Sequence, residues 1–176
     1  MKKVTLIYFL FLSTLAVAQV HYALSSESTL QIAGTSTVHD WVVAAEVLEG
    51  SLRRSSGIIE AIKLEVSVHD IKSERGATMD SKMHKALKAD QHPKISFELT
   101  ETKNHTTLVG TIMIAGVAKP TAIDVEIGIE DNNLSITGEQ QIIFQDFGMK
   151  PPTAMFGQII VGDTVTVKFN LVYKRV

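Results

Sequence analysis

The chain has no cysteine among its 176 residues. Disulfides, thiolate catalysis and zinc–cysteine sites are thereby excluded, as is lipid attachment at a cysteine behind an export signal. Long hydrophobic runs are also missing. The one extended apolar stretch, Val4 to about Leu15, is shorter than the ~20 residues that span a bilayer as a helix. It follows Lys2-Lys3 and precedes Ala16-Val17-Ala18, the small-x-small pattern of a signal peptidase site. We therefore expect residues 1–18 to be a signal peptide and residues 19–176 to form a single exported domain, periplasmic or secreted, with no transmembrane segment. Loss of the leader removes two lysines and leaves 15 basic against 19 acidic residues, without any basic cluster. Nucleic acid is accordingly not an expected partner.

Catalytic signatures are equally scarce. There is no G-x-S-x-G, no phosphate-binding glycine loop and no S-x-x-K. The six histidines show no H-x-x-x-H, H-x-H or H-E-x-x-H spacing, so neither a metal site nor a metal cofactor is expected. The acidic residues fall mostly on the polar parity of alternating segments, which is the pattern of a solvated face.

What the sequence has in abundance is alternation. From Thr164 to Tyr173, Val165, Val167, Phe169, Leu171 and Tyr173 share one face while Thr164, Thr166, Lys168 and Asn170 share the other. This period of two marks a strand with one buried side. Similar runs occupy 28–33, 37–49, 58–68, 94–100, 106–115, 121–130 and 133–145. In 121–130 the inward set is Ile123, Val125, Ile127 and Ile129. About eight strands joined by short turns such as Asp131-Asn132-Asn133 must be antiparallel neighbours, and closure into a barrel removes their edges. One segment breaks the rule: over 78–88, Met79, Met83, Ala86 and Leu87 form a helical stripe, predicting one short amphipathic helix laid on the sheet or across a barrel end.

Two His-Asp pairs, His39-Asp40 and His69-Asp70, invite a catalytic reading. Consecutive side chains of a strand point to opposite faces, so neither pair forms a dyad within regular strand. Parity turns His39, Trp41, Val43, Ala45 and Val47 inward and Asp40 outward, with His69 outside. His39 is then either a hydrogen-bonded histidine at the core rim or a ligand contact. His84 and Asp80, four apart on the helix, suit a surface pair. His21 falls in an unanchored terminus.

Three stretches, DSKMHKALKADQHPKISF (80–97), GTIMIAGVAKPTAIDVEI (110–127) and DFGMKPPTAMFGQIIVGDTVTVKF (146–169), together resemble the YceI-like lipid/polyisoprenoid-binding family, in order and over essentially all of the mature chain. GTSTVHDWVVAAEVLEGSL fits that family's first long strand. Where many members carry a paired-phenylalanine turn, this chain has Ala86-Leu87-Lys88. The resemblance implies an all-β, lipocalin-like antiparallel β-barrel of about eight strands with an elongated apolar cavity. Its implied cargo is an isoprenoid or other long-chain lipid.

By parity the expected lining comprises His39, Trp41, Val43, Leu64, Val66 and Phe97, with Leu99, Ile112, Ile114, Phe144 and Phe169, and with Met83 and Leu87 from the helix. The expected function is non-catalytic binding. The alternatives are a structural or stress-related barrel protein whose apolar faces fill a solid core, and a hydrolase built on His39 or His84.

Overall fold

The alternating segments fold, in a computed structural model that describes residues 19–74 and 76–176, into twelve strands and one α-helix. The strands are β1 Gln19–Leu24, β2 Thr29–Ser36, β3 Trp41–Ala45, β4 Leu48–Ser55, β5 Ile58–Ser67, β6 Ile71–Ser73, β7 Lys94–Lys103 and β8 Thr107–Ile114. They continue with β9 Val117–Glu130, β10 Asn133–Ile143, β11 Thr153–Ala154 and β12 Ile159–Arg175; helix α1 is Ala77–Ala86. The expected signal peptide, residues 1–18, lies outside the described residues.

Eight staves make a closed antiparallel barrel. Three are broken strands: β1 continues into β2, β3 into β4, and β5 into β6. The pairings run β1–β4–β5–β7–β8–β9–β10–β12, and β12 closes the ring by pairing with β1. At the other end β12 pairs with β2, which pairs with β3, which pairs with β6. The 17 residues of β12 therefore seam the whole wall, from Ser36↔Val161 to Tyr22↔Arg175.

The breaks have local causes. At 25–28 the chain steps out of the ladder, and Ser28 fills the gap: its Oγ accepts from Val172 N–H (2.9 Å) and donates to Val172 O (3.3 Å). Val68–Asp70 is a turn of 3-10 helix between β5 and β6. Facing it, Glu46 N–H donates to Asp70 O (2.9 Å).

That last break corrects the expected strand 37–49, which is two strands with different parities. Trp41, Val43 and Ala45 face inward, then one extra residue at 46–47 moves the inward set to Leu48, Gly50 and Leu52. Val47, expected inside, is exposed. A single-residue slip reverses every following side chain, because the side-chain period is two. Residues 37–40 form a bend rather than strand. Three further expectations change. His21 is not in a loose terminus, since β1 pairs with both β4 and β12. Phe144 leaves the end of β10 to open a 3-10 turn, Phe144–Phe147. Ile129 is exposed, near the hairpin turn that ends β9.

One end of the barrel is plugged. Tyr173 (0% exposed), Leu134 (1%) and Leu52 (2%) pack there with Tyr22, and Leu134 and Leu24 flank Tyr173 in register. The Tyr173 hydroxyl is buried with no hydrogen-bond partner among the described residues. Burial pushes its ionisation far above the ordinary phenol range, so the phenol stays neutral. On the outer parity, ion pairs such as Lys63–Glu98 (3.4 Å) and Lys168–Glu139 (3.8 Å) are exposed and contribute little stability.

Candidate functional site

The opposite half of the barrel is hollow. A cavity of about 830 Å³ runs inward from the α1 end, several times the ~150 Å³ of an apolar cavity that stays dry and accepts benzene. Such a volume lies within the usual range for small-molecule sites. All eight staves contribute to its wall, and Leu108, Ile123, Ile136 and Leu171 lie toward the plugged end.

Of the residues expected to line it, His39, Trp41, Val43, Leu64, Val66, Met83, Leu87, Phe97, Ile112, Ile114, Phe144 and Phe169 all do so. Leu99 does not. It is buried in the main core cluster without reaching the cavity, on a strand whose register slips between Leu99 and Glu101. Sequence parity also marked Ile142, Val165 and Leu171 as inward, and these join the wall. Met149, Pro152, Ile159 and Val161 join it as well. The first two come from the irregular segment after Phe147, where no periodicity announces them.

The lumen is open because three aromatic rings lie against three inward glycines. A Cβ on Gly34 would stand 2.2 Å from the Trp41 indole, its cross-strand partner, and Trp41 Nε1–H donates to Thr35 O (3.0 Å). On Gly110 it would meet the Phe97 ring at 2.6 Å, and on Gly138 the Phe169 ring at 2.8 Å. Each ring occupies the place of a missing side chain and so spreads along the wall. No signal along the sequence announces this arrangement, because it depends on the cross-strand register, in which Gly34 and Gly138 stand directly across from Trp41 and Phe169 while Gly110 stands across from Leu99, diagonal to Phe97.

Helix α1 covers part of the mouth. Met79, Met83, Ala86 and Leu87 line the cavity, and Met83 and Leu87 also pack against the core cluster of Leu30, Val43, Val66 and Ile71, although no residue of the helix is fully buried. The helix is held by polar ties to β6. Asp80 Oδ1 accepts from both the N–H and the hydroxyl of Ser73, each at 2.8 Å, and His84 Nε2 lies 2.9 Å from Ile71 O. Asp80 and His84 thus serve as two clamps rather than the surface pair that their spacing suggested. His69, exposed as expected, meets the His84 ring edge-on at 5.3 Å.

Partial desolvation pushes the Asp80 pKa up, but the Ser73 bonds, with Lys72 and His84 nearby, outweigh it and hold the carboxyl below its ordinary value of 3.8. A depressed pKa means that this contribution is present above about pH 4 and is lost as pH falls through the folded-state value. We expect Asp80→Asn to leave the barrel's melting temperature nearly unchanged while speeding amide exchange within 77–86. Unchanged exchange there would show that the clamp is not what holds the helix.

Another part of the rim is the 37–40 bend between β2 and β3. Ser36 Oγ donates to His39 O (2.7 Å) and accepts from His39 N–H (3.2 Å), while His39 Nδ1 lies 3.1 Å from Asp40 O. Among the described residues no three His, Asp or Glu side chains converge on a metal-sized site, and no helix is long and apolar enough to cross a membrane.

A closed eight-stranded antiparallel barrel, plugged at one end and hollow and apolar at the other, defines a lipocalin-like protein with an internal cavity. The YceI-like domain model matches residues 21–173, and the chain belongs to that family. Among solved structures, a polyisoprenoid-binding domain from Saccharophagus degradans, implicated in plant cell wall breakdown, superimposes with a TM-score of 0.73. It shares 13% identity, over 88% of this chain and 98% of its own. BcnA of Burkholderia cenocepacia gives a TM-score of 0.69 at 16% identity, over 83% of this chain and 96% of its own. A Campylobacter jejuni YceI protein gives 0.54 at 18% identity, over 67% and 73%. At such identities the likeness is one of fold. No curated protein sequence matched the chain.

Proposed function

We propose that this protein is an exported, non-catalytic carrier that holds one isoprenoid or other long-chain lipid in the barrel, shielded from water. The observation that carries the reading is the ~830 Å³ cavity with its aliphatic and aromatic wall. A hollow interior of that size counts against the filled-core alternative. The hydrolase alternative loses one candidate base, because His84 spends Nε2 on Ile71 O and holds a helix. The likeness to a polyisoprenoid-binding domain supports the choice of cargo.

Apolar transfer suffices as the driving force. About fifteen methylene groups at ~0.8 kcal/mol each give roughly 12 kcal/mol gross. Immobilising the ligand costs about 4 kcal/mol or more of this, and the remainder of up to ~8 kcal/mol corresponds to an affinity of about micromolar at the tightest. Export rests on the leader composition and is supported if the protein collected outside the cytoplasm begins within a few residues of Gln19.

Native mass spectrometry of protein purified from its own host tests the cargo. We expect a mass adduct that organic extraction removes and identifies as a long-chain lipid. Bare protein, together with no response of Trp41 fluorescence to added isoprenols, would overturn the proposal.

A further inference from the structure

Residues 151–162, PPTAMFGQIIVG, contain no charged side chain, and neither do residues 28–39, STLQIAGTSTVH, in a chain that is 20% charged. The fold brings the two together. Thr37 N–H donates to Ile160 O (3.0 Å), Thr37 Oγ1 donates to Gln158 O (3.3 Å), and Ile160 N–H donates to Thr37 Oγ1 (3.2 Å). This joined, uncharged structure is part of the cavity mouth: Ser36, Pro152, Thr153 and Ile159 line the opening. The α1 side of the same mouth carries Lys72, Glu74 and Lys82, and Asp40 follows directly on the uncharged 28–39 segment.

The tip of the β11–β12 hairpin is unusual in two independent ways. Phe156 is fully exposed (109%), and Met155 (63%) and Val38 (63%) stand out beside the same rim. Met155 (φ 50°) and Phe156 (φ 54°, ψ 34°) are both left-handed, a conformation that bulky residues avoid. The chain thus accepts unfavourable backbone geometry in order to hold apolar groups in water, a combination found where strain serves a function.

We propose that this hairpin tip is a membrane-docking element, which inserts Phe156 and Met155 into the outer layer of a lipid bilayer and sets the cavity mouth against it. The inference rests on the carrier reading above: a water-insoluble chain must pass directly between bilayer and lumen, and the tip adjoins the opening through which it passes. Shape favours a bilayer over a protein partner. A stable protein interface needs ~800 Å² from each side, whereas an aromatic side chain offers ~150–250 Å². A convex, uncharged tip enters a fluid apolar layer without desolvating ions. Attachment through two side chains is weak and reversible, as with a single lipid anchor, which suits a carrier that must leave with its cargo.

The full-length mature protein and its Met155→Ser/Phe156→Ser variant are to be compared by flotation with phosphatidylcholine vesicles, with and without phosphatidylglycerol, at low and high salt. Farnesol uptake from solution, followed through Trp41 emission, runs in parallel. We expect the native protein to float with both vesicle types regardless of salt, and the variant to bind about tenfold more weakly or worse. Transfer of a fluorescent long-chain lipid out of vesicles should slow by a similar factor, with melting temperature and farnesol uptake unchanged. Equal flotation of both proteins, or no flotation of either, would overturn the docking proposal. So would a concentration-dependent dimer that the variant abolishes, since the occupant of the tip would then be a second copy. Loss of farnesol uptake by the native protein would instead sink the carrier reading, and flotation would still judge the tip.

Discussion

Ile114→Lys is expected to unfold the protein or to abolish lipid uptake. Ile114 is 6% exposed, at the end of β8, and its side chain lines the cavity. An ammonium group placed there would be buried against a wall that is mainly aliphatic and aromatic, and its desolvation costs several kcal/mol. Domains of this size have only about 5–15 kcal/mol of stability to lose. The matched control is Lys168→Ala, on the outward parity of β12, where the side chain is 63% exposed in a 3.8 Å ion pair with Glu139. That change should move stability by no more than about 0.5 kcal/mol. Urea unfolding followed by circular dichroism, with uptake of a fluorescent lipid by whatever remains folded, separates the two. Equal behaviour of both variants would mean that the inner and outer faces have been exchanged.

Gly34→Val should have a different signature, with the barrel intact and the lumen obstructed. Gly34 lies in regular β2 opposite Trp41, and the nearest atoms a Cβ would meet are all on the indole ring. The wall itself therefore tolerates the new side chain, but the ring cannot stay where it is. It must give up the bond to Thr35 O and swing toward the lumen. Forcing extra methyl groups into this corner should cost about 1–3 kcal/mol, and long-chain lipid affinity should fall by tenfold or more as ~1.4 kcal/mol or more of apolar contact is lost. Trp41 is the chain's sole tryptophan, so its emission reports the ring's displacement without interference. Native emission together with native affinity would show that the glycine does not seat the ring.

Side-chain parity was the most legible part of this fold. It marked Ile112 and Ile114 on β8 and Val165 to Tyr173 on β12 as inward, because uninterrupted strands preserve their period over many residues. It misled at Val47, where one inserted residue reversed the count, and at Leu99, where facing inward did not mean facing the cavity. Parity carries no depth along the barrel axis. Whether the interior was hollow was not readable from apolar content, since a filled and an empty barrel require the same faces. The difference lies in where Gly34, Gly110 and Gly138 stand relative to Trp41, Phe97 and Phe169, which only the cross-strand register reveals. The polar ties of α1 were hidden for a similar reason: Asp80 and His84 are neighbours on the helix, but their partners, Ser73 and Ile71, lie on β6.

The plug formed by Leu52, Leu134 and Tyr173 gives the barrel a direction. On the carrier reading proposed above, a linear cargo enters such a blind tube tail first, and its other terminus stays at the mouth between α1 and the hairpin. Each added carbon then improves binding until the tail touches the floor, after which further length must remain outside in water. For the proposed carrier, a solid base thereby turns a non-directional force into a measure of chain length, so that apolar contact alone would grade lipids by size.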